Sequence, residues 1–132
     1  MKIETTKTFT DITDLVKIPK GFNGLVNIFS RHTTAGVRIL ENEKLLLADY
    51  ERILEQFAPK TGFYAHNIID ARDVPPTERI NGHSHIRTLF FPTSETIPIV
   101  KGKMLLGKWQ RIFLVELDPL REREIIITFI SG

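Results

Sequence analysis

The carboxyl-terminal third of the chain constrains the fold most. From Ser94 onward, "TIPIV", "GKMLLG", "WQRIFLVEL" and "EIIITFI" are short apolar runs separated by Gly- and Pro-marked breaks, the pattern of strands joined by turns. The last run is apolar on both parities from Ile125 to Ile130. Such a strand is central in a sheet or covered on its second face by another layer. A chain that closes this way is organised around β-sheet.

The upstream half adds one more strand pair and a helix. Val26, Ile28, Ser30, His32 and Thr34 share one parity in "LVNIFSRHTT", with Leu25 and Phe29 on the other, which reads as a strand. After Ala35-Gly36, "VRILE" resumes the alternation with Val37, Ile39 and Glu41 facing one way. The period then changes. Leu46, Tyr50, Ile53, Leu54 and Phe57 form one stripe of an amphipathic helix over about residues 43–58, with Asn42 as its expected N-cap and Pro59 at its far end. Leu45 and Leu47 widen that apolar surface. The simpler expectation is burial within the monomer; the alternative is a subunit contact. Residues 59–82 are rich in Pro, Gly, Asp and Asn and hold no clear period, and a connection of that length is usually functional or poorly ordered. "HSHIRTLFF" fits a short helix or a strand, and the helix is preferred. The expected fold class is α+β: mostly antiparallel, β-sandwich-like sheets with one substantial helix and a short second one, in a single domain over residues 1–132.

Composition narrows the function classes. Lys and Arg number 18 against 16 Asp and Glu, leaving a net charge of +2 with the signs interspersed. No basic face marks a nucleic-acid partner. There is no cysteine, which removes disulfides, thiolate metal ligands and Cys nucleophiles together. The start, "MKIETTKTFT", has no apolar leader core, and no stretch approaches 18 apolar residues. A cytoplasmic protein with no membrane partner is expected. Neither phosphate-cradling glycine motif (GxxxxGK, GxGxxG) occurs, nor does a GxSxG elbow or HExxH.

The four histidines carry the chemical interest. His32 ends the inward-facing row of one strand and Glu41 that of the next, so a carboxylate is expected close to an imidazole, able to fix its tautomer. The plainer alternative is a buried His–Glu pair serving structure alone. His83 and His85 are two positions apart. On a strand they would project together and could share one ion; on a helix they lie about 200° apart and cannot. The preferred helix argues against such a claw. His32, His66 and one of the later pair could furnish three ligands for zinc, whose bonds to imidazole run about 2.0–2.1 Å, although no spacing motif demands it. Gln110 and Glu116 share a face but stand roughly 20 Å apart along one strand, so they do different jobs. Glu116 is expected to pair with Arg121 or Arg123.

"HTTAGVRILE" (32–41), Asp49 in the first helix, "YAH" (64–66), the Asn81…His85 pair, "SETIPIVKGKMLLGKWQRIFLVELD" (94–118) and "REREIII" together resemble the YjbQ family. Its members are small proteins often described as secondary thiamine-phosphate synthase enzymes. The resemblance runs from about residue 8 to the end. It implies a β-rich α+β homotrimer with pockets near subunit boundaries. On the family's motif positions stand His32, Glu41, His66 and His85, implied as catalytic, and Thr33, Thr34, Asn81, Trp109 and Gln110, implied as substrate-binding. His32, His66 and His85 are also the implied ligands of Zn²⁺ or another divalent metal. The family's N-x-x-x-H spacing matches Asn81 and His85 and makes His83 the bystander. Two departures stand out. Leu40 precedes Glu41 where the family usually has Asn, and "RDVPPTERI" lengthens the segment before Asn81.

The resemblance thus implies a thiamine-phosphate synthase-type transferase, of weak or secondary activity, joining a pyrimidine diphosphate to a thiazole phosphate. Two other readings keep the same residues. One is a metal-dependent enzyme acting on another small phosphorylated metabolite; the other is a non-catalytic trimeric ligand-binding module. Convergence of His32, His66 and His85 favours an enzyme, and their dispersal favours a binding or structural role.

Overall fold

A computed structural model describes residues 1–132. Eight strands run β1 (Lys2–Glu4), β2 (Phe9–Asp11), β3 (Gly24–Ser30), β4 (Ala35–Glu41), β5 (Ser94–Val100), β6 (Lys103–Met104), β7 (Gln110–Glu116) and β8 (Glu122–Ser131); two α-helices, α1 (Lys44–Phe57) and α2 (Gly82–Arg87), complete the chain with four 3₁₀ turns. All strand pairings are antiparallel. A five-stranded sheet has the order β1-β8-β3-β5-β6, and a three-stranded sheet the order β2-β7-β4. The fold class is the α+β expected, with α1 lying over the smaller sheet as a third layer.

Parity explains the layering. Val26 and Ile28 of β3, Ile97 and Ile99 of β5, and Ile125 of β8 point into the space between the sheets, where Val37, Ile112 and Leu114 of the smaller sheet meet them. Each such side chain contributes about 1.5–3 kcal/mol by leaving water. The opposite parity of β7 serves a second cluster, in which Phe113 and Val115 pack with Phe9, Leu117 and Leu54 of α1. The doubly apolar β8 is an interior strand, between β1 and β3, but its second face is open: Ile126 and Ile130 are exposed.

Arg123 of β8 has the same inward parity and is 1% exposed. Its Nε and Nη2 donate to the two carboxylate oxygens of Glu116, at 2.6 and 2.5 Å, and Nη2 also donates to Thr34 Oγ1 at 2.8 Å. Thr5 Oγ1 and the Asp118 N–H donate to the same carboxylate. The expected Glu116–Arg pair therefore forms, with Arg123 and not Arg121. Removing either partner alone leaves a buried charge, a loss of about 3–5 kcal/mol.

Several local expectations are corrected. The α1 cap is Glu43, whose carboxylate accepts from the N–H groups of Leu45 and Leu46; Asn42 instead donates to Asp11 Oδ2. Leu45, 72% exposed, is not buried in the monomer, because α1 meets the sheet along the Tyr50–Leu54 side only. "GKMLLG" yields just the two residues of β6, joined to β5 by Lys101 and Gly102, both at positive φ (50° and 77°), the geometry of a tight hairpin. The irregular 59–82 segment is shaped by 3₁₀ turns at Ala65–Asn67 and Ile69–Ala71. No helix is long and apolar enough to cross a membrane.

Candidate functional site

Helix α2 organises the site, and its position follows from a few contacts. Asn81, just before it, is buried and donates from Nδ2 to Asp118 Oδ2 at 2.8 Å. Ser84 Oγ donates to the Leu117 carbonyl at 2.5 Å. These two bonds tie α2 to the chain leaving β7. On the other side, the Gly82 N–H donates to Asn67 Oδ1 at 2.9 Å. A Cβ at Gly82 would stand 2.5 Å from the Cβ of Tyr64, so only glycine allows the helix to sit this close to the 64–67 turn.

That placement sends the two histidines of α2 into different surroundings. The His85 ring meets the ring of His66 edge-on, with centroids 4.5 Å apart. It also lines a cavity of about 320 Å³ shared with His32, Thr33, Gly36, Thr88 and Thr93. His83 points to the opposite side and lines a separate cavity of about 360 Å³. At 8% exposure it is not a surface imidazole. The expectation of a helix over this stretch holds, and with it the exclusion of a His83–His85 claw.

His32 follows β3 at the corner where the chain passes from one sheet to the other. Its Nε2 accepts the Glu124 N–H at 2.8 Å, so the proton of the neutral ring sits on Nδ1. Burial and the nearby Arg123 guanidinium lower its pKa below 6.5, outweighing Glu116 and Glu124. Burial likewise lowers His85, with His66 and Arg72 adding to it and Asp118 opposing. At neutral pH both rings are uncharged; the lone pair of His32 is taken by the Glu124 N–H, while His85 keeps one to accept a proton or a hydrogen bond.

The remaining implied residues divide by position. Thr33 is exposed on the cavity wall. Thr34 and Asn81 are buried and bonded to Arg123 and Asp118, so in this chain they hold the site's walls. Glu41 does not reach His32: β3 and β4 part into different sheets, and Glu41 lies at the far end of β4, paired in register with Gln110. Parity predicted the shared face but carried no information about which end. Gln110 accepts the Gly107 N–H at 2.7 Å, and Trp109, 64% exposed, lies beneath Lys108 Nζ. The implied residues thus form two groups at opposite ends of the β4–β7 pair.

A three-imidazole metal site is not preassembled in one chain. No three His, Asp or Glu side chains are grouped to hold an ion, and the His32 Nε2 lone pair is engaged by Glu124. The His66 and His85 rings form no hydrogen bond within the chain and fit as two ligands; His32 fits only if its ring turns. Sequence reasoning missed Glu124, since a main-chain donor leaves no signature in side-chain patterns. It also missed Asp118, whose link to Asn81 joins residues 37 positions apart.

A family model described as "UPF0047 protein YjbQ-like" matches residues 1–132. A UPF0047 protein of Methanothermobacter thermautotrophicus is 42% identical over 106 residues, 80% of this chain and 68% of that protein. The Escherichia coli protein YjbQ is 31% identical, over 80% of this chain and 71% of its own length. Among solved structures, a YbjQ-like protein of unknown function from Sulfolobus solfataricus superimposes with a TM-score of 0.84 at 31% identity, covering 100% of this chain and 94% of its own. A YjbQ/UPF0047 family protein from Clostridium acetobutylicum gives 0.79 at 30% identity, with 98% of each chain covered.

Proposed function

The chain belongs to the YjbQ-like UPF0047 family, and on that premise we propose that the cavity shared by His32 and His85, with His66 packed against the His85 ring, is the active site of an enzyme acting on small phosphorylated metabolites. The first reaction to assay is coupling of the thiamine-phosphate synthase type. There the thiazole nitrogen bonds to the pyrimidine methylene carbon as the carbon–oxygen bond to diphosphate breaks and pyrophosphate leaves. One observation carries the reading: two imidazoles, His66 and His85, meet with ring centroids 4.5 Å apart and their ring nitrogens free of hydrogen bonds within the chain, and burial holds the pKa of His85 below 6.5. Such rings can accept a proton or hold a polar substrate group.

Assembly as a homotrimer is part of the same proposal. The outer face of the larger sheet supports it: cross-strand register brings Leu25 beside Ile130 and Phe29 beside Ile126, and all four are exposed. Two exposed apolar pairs, with only the polar Asn27–Thr128 pair between them, call for a covering layer, and a second copy of the chain supplies it. The family resemblance implies pockets near subunit boundaries, so Glu41, Trp109 and Gln110 belong to the proposal as residues that a neighbouring subunit would bring toward such a pocket.

Zn²⁺ or another divalent ion belongs to the proposal with His66 and His85 as ligands and His32 as a third after its ring turns. A bound ion there would supply charge for a diphosphate.

The test combines metal analysis with turnover of the pyrimidine diphosphate and thiazole phosphate pair and of other phosphorylated substrates. His85→Ala is expected to lower kcat/KM by about 10²-fold or more and to weaken metal uptake strongly, whereas His83→Ala leaves metal uptake unchanged. Equal metal loss from both substitutions, or full turnover in a His66→Ala/His85→Ala double variant, rejects the assignment. The second reading, a trimeric ligand-binding module, draws on the internal bond that occupies His32; saturable binding without turnover is its signature.

A further inference from the structure

The cavity behind α2, on the His83 side, plays no part in the proposal above. It is bounded by the end of β7, the chain that follows it, and the segments carrying Lys60, Arg79 and Arg87. From its charge and hydrogen bonding we infer that it is a second ligand site, which binds the phosphate group of a small phosphate monoester.

The first observation is the state of His83. The residue is more than nine-tenths buried, and the one polar contact of its ring within the chain is Nε2 to Ser84 Oγ at 3.4 Å. Ser84 gives its only hydroxyl proton to the Leu117 carbonyl at 2.5 Å. The serine oxygen can therefore only accept from the ring, so Nε2 carries the proton in that contact. Nδ1 is left without a hydrogen-bond partner within the chain, in a residue that lines the cavity. It accepts from a hydroxyl on the organic part of a ligand, and the charge of the phosphate is met by the cations around the cavity.

The second observation is the charge balance. Both carboxylates that line the cavity are already engaged. Glu116 is held by Arg123, and Asp118 by Asn81, Arg79 and Arg121. Arg87 donates to the Ala58 carbonyl and pairs with Glu55. Lys60 has no carboxylate partner: its main-chain N–H, not its ammonium, contacts Glu55. Around the cavity the cations Lys60, Arg79, Arg87, Arg121 and Arg123 outnumber the carboxylates Glu55, Glu116 and Asp118 by two. A phosphate monoester carries about −1.5 to −2 at neutral pH and matches that excess; a carboxylate would match half of it, and a metal cation would be repelled. The volume, about 360 Å³, exceeds what a bare ion needs and lies within the range of small-molecule pockets. Ile80 and Leu117 offer apolar wall to the organic part of the ligand.

The experiment is an NMR titration of ¹³C-histidine-labelled protein, at constant ionic strength, with inorganic phosphate and with ribose 5-phosphate. The His83 ring signals are expected to shift saturably, with ribose 5-phosphate binding more tightly than inorganic phosphate and the His66 and His85 signals unmoved. Lys60→Ala, a change at an exposed side chain, should weaken binding about tenfold. No saturable His83 shift up to about 50 mM of either anion, where a site of Kd about 10 mM is mostly filled, overturns the inference. Equal shifts at His85 and His66 overturn it too, since they would place the anion in the other cavity. Loss of turnover in His85→Ala bears on the catalytic proposal alone, so the two stand or fall separately.

Discussion

At the scale of single residues, the nitrogen that faces a neighbour matters as much as the residue type. His32 was legible as the end of an inward row, but its working partner is a main-chain N–H from β8 and not the carboxylate of Glu41. The bond has a thermodynamic consequence. Protonating His32 turns Nε2 from acceptor into donor and sets two N–H groups against each other. Its pKa, like those of His83 and His85, lies below 6.5 in the folded chain. Between the folded and unfolded values the unfolded chain binds more protons, so stability is complete above about pH 6.5 and falls as acid is added, by at most about 1.4 kcal/mol per pH unit for each group. Urea unfolding from pH 7.5 to 5 is expected to show this loss. His32→Gln, whose amide oxygen can accept the Glu124 N–H, should make the loss shallower; an unchanged slope would mean that His32 does not titrate with folding.

At the scale of elements, α2 decides what the His-x-His pair can do. Its helical phase directs His85 toward His66 and His83 toward the opposite cavity. The helix is only Gly82–Arg87, too short to stand on propensity alone, so its position rests on Asn81–Asp118, Ser84–Leu117 and the close approach of Gly82 to Tyr64. Gly82→Ala is expected to push α2 away from the 64–67 turn, because the new Cβ meets a backbone-proximal carbon that cannot swing aside. Loss of the His66–His85 ring contact, read from nuclear Overhauser effects between the two imidazoles, together with a stability loss of about 1–3 kcal/mol, is the predicted result. An intact contact in that variant would show that α2 is held by its other bonds alone. The α1 helix teaches a related lesson. Its apolar period was plain in the sequence, yet half of that surface faces outward, because periodicity reports that a face is apolar and not what covers it.

At the scale of the whole molecule, the larger sheet leaves Leu25, Phe29, Ile126 and Ile130 uncovered. The doubly apolar β8 signalled two buried faces; folding a single chain buries one. If a second copy covers the other, a charge placed at its centre should be tolerated by the isolated subunit and rejected by the assembly. Ile126→Lys is therefore expected to sediment as a monomer with an unchanged circular dichroism spectrum, while the unaltered chain sediments as a trimer. A trimer that persists in this variant would move the interface elsewhere, with the exposed Leu45, Ile53 and Phe57 edge of α1 as the next surface to alter.

What the sequence alone determined was everything that spacing encodes: antiparallel strands, the two faces of β7, the α1 stripe, the helical phase of the His pair and the Glu116–Arg partnership. Those depend on side-chain period within an element or on charges only a few residues apart, such as Glu116 and Arg123, and both are local. The tertiary structure alone decided which ends of the strands meet, that Glu41 and Gln110 stand together away from His32, that Glu124 occupies the His32 ring, and that His83 faces a cavity of its own. These follow from strand order, from the corner between two sheets and from bonds joining residues up to 92 positions apart. Parity assigns a side chain to a face, but only the folded path of the chain assigns it a neighbour.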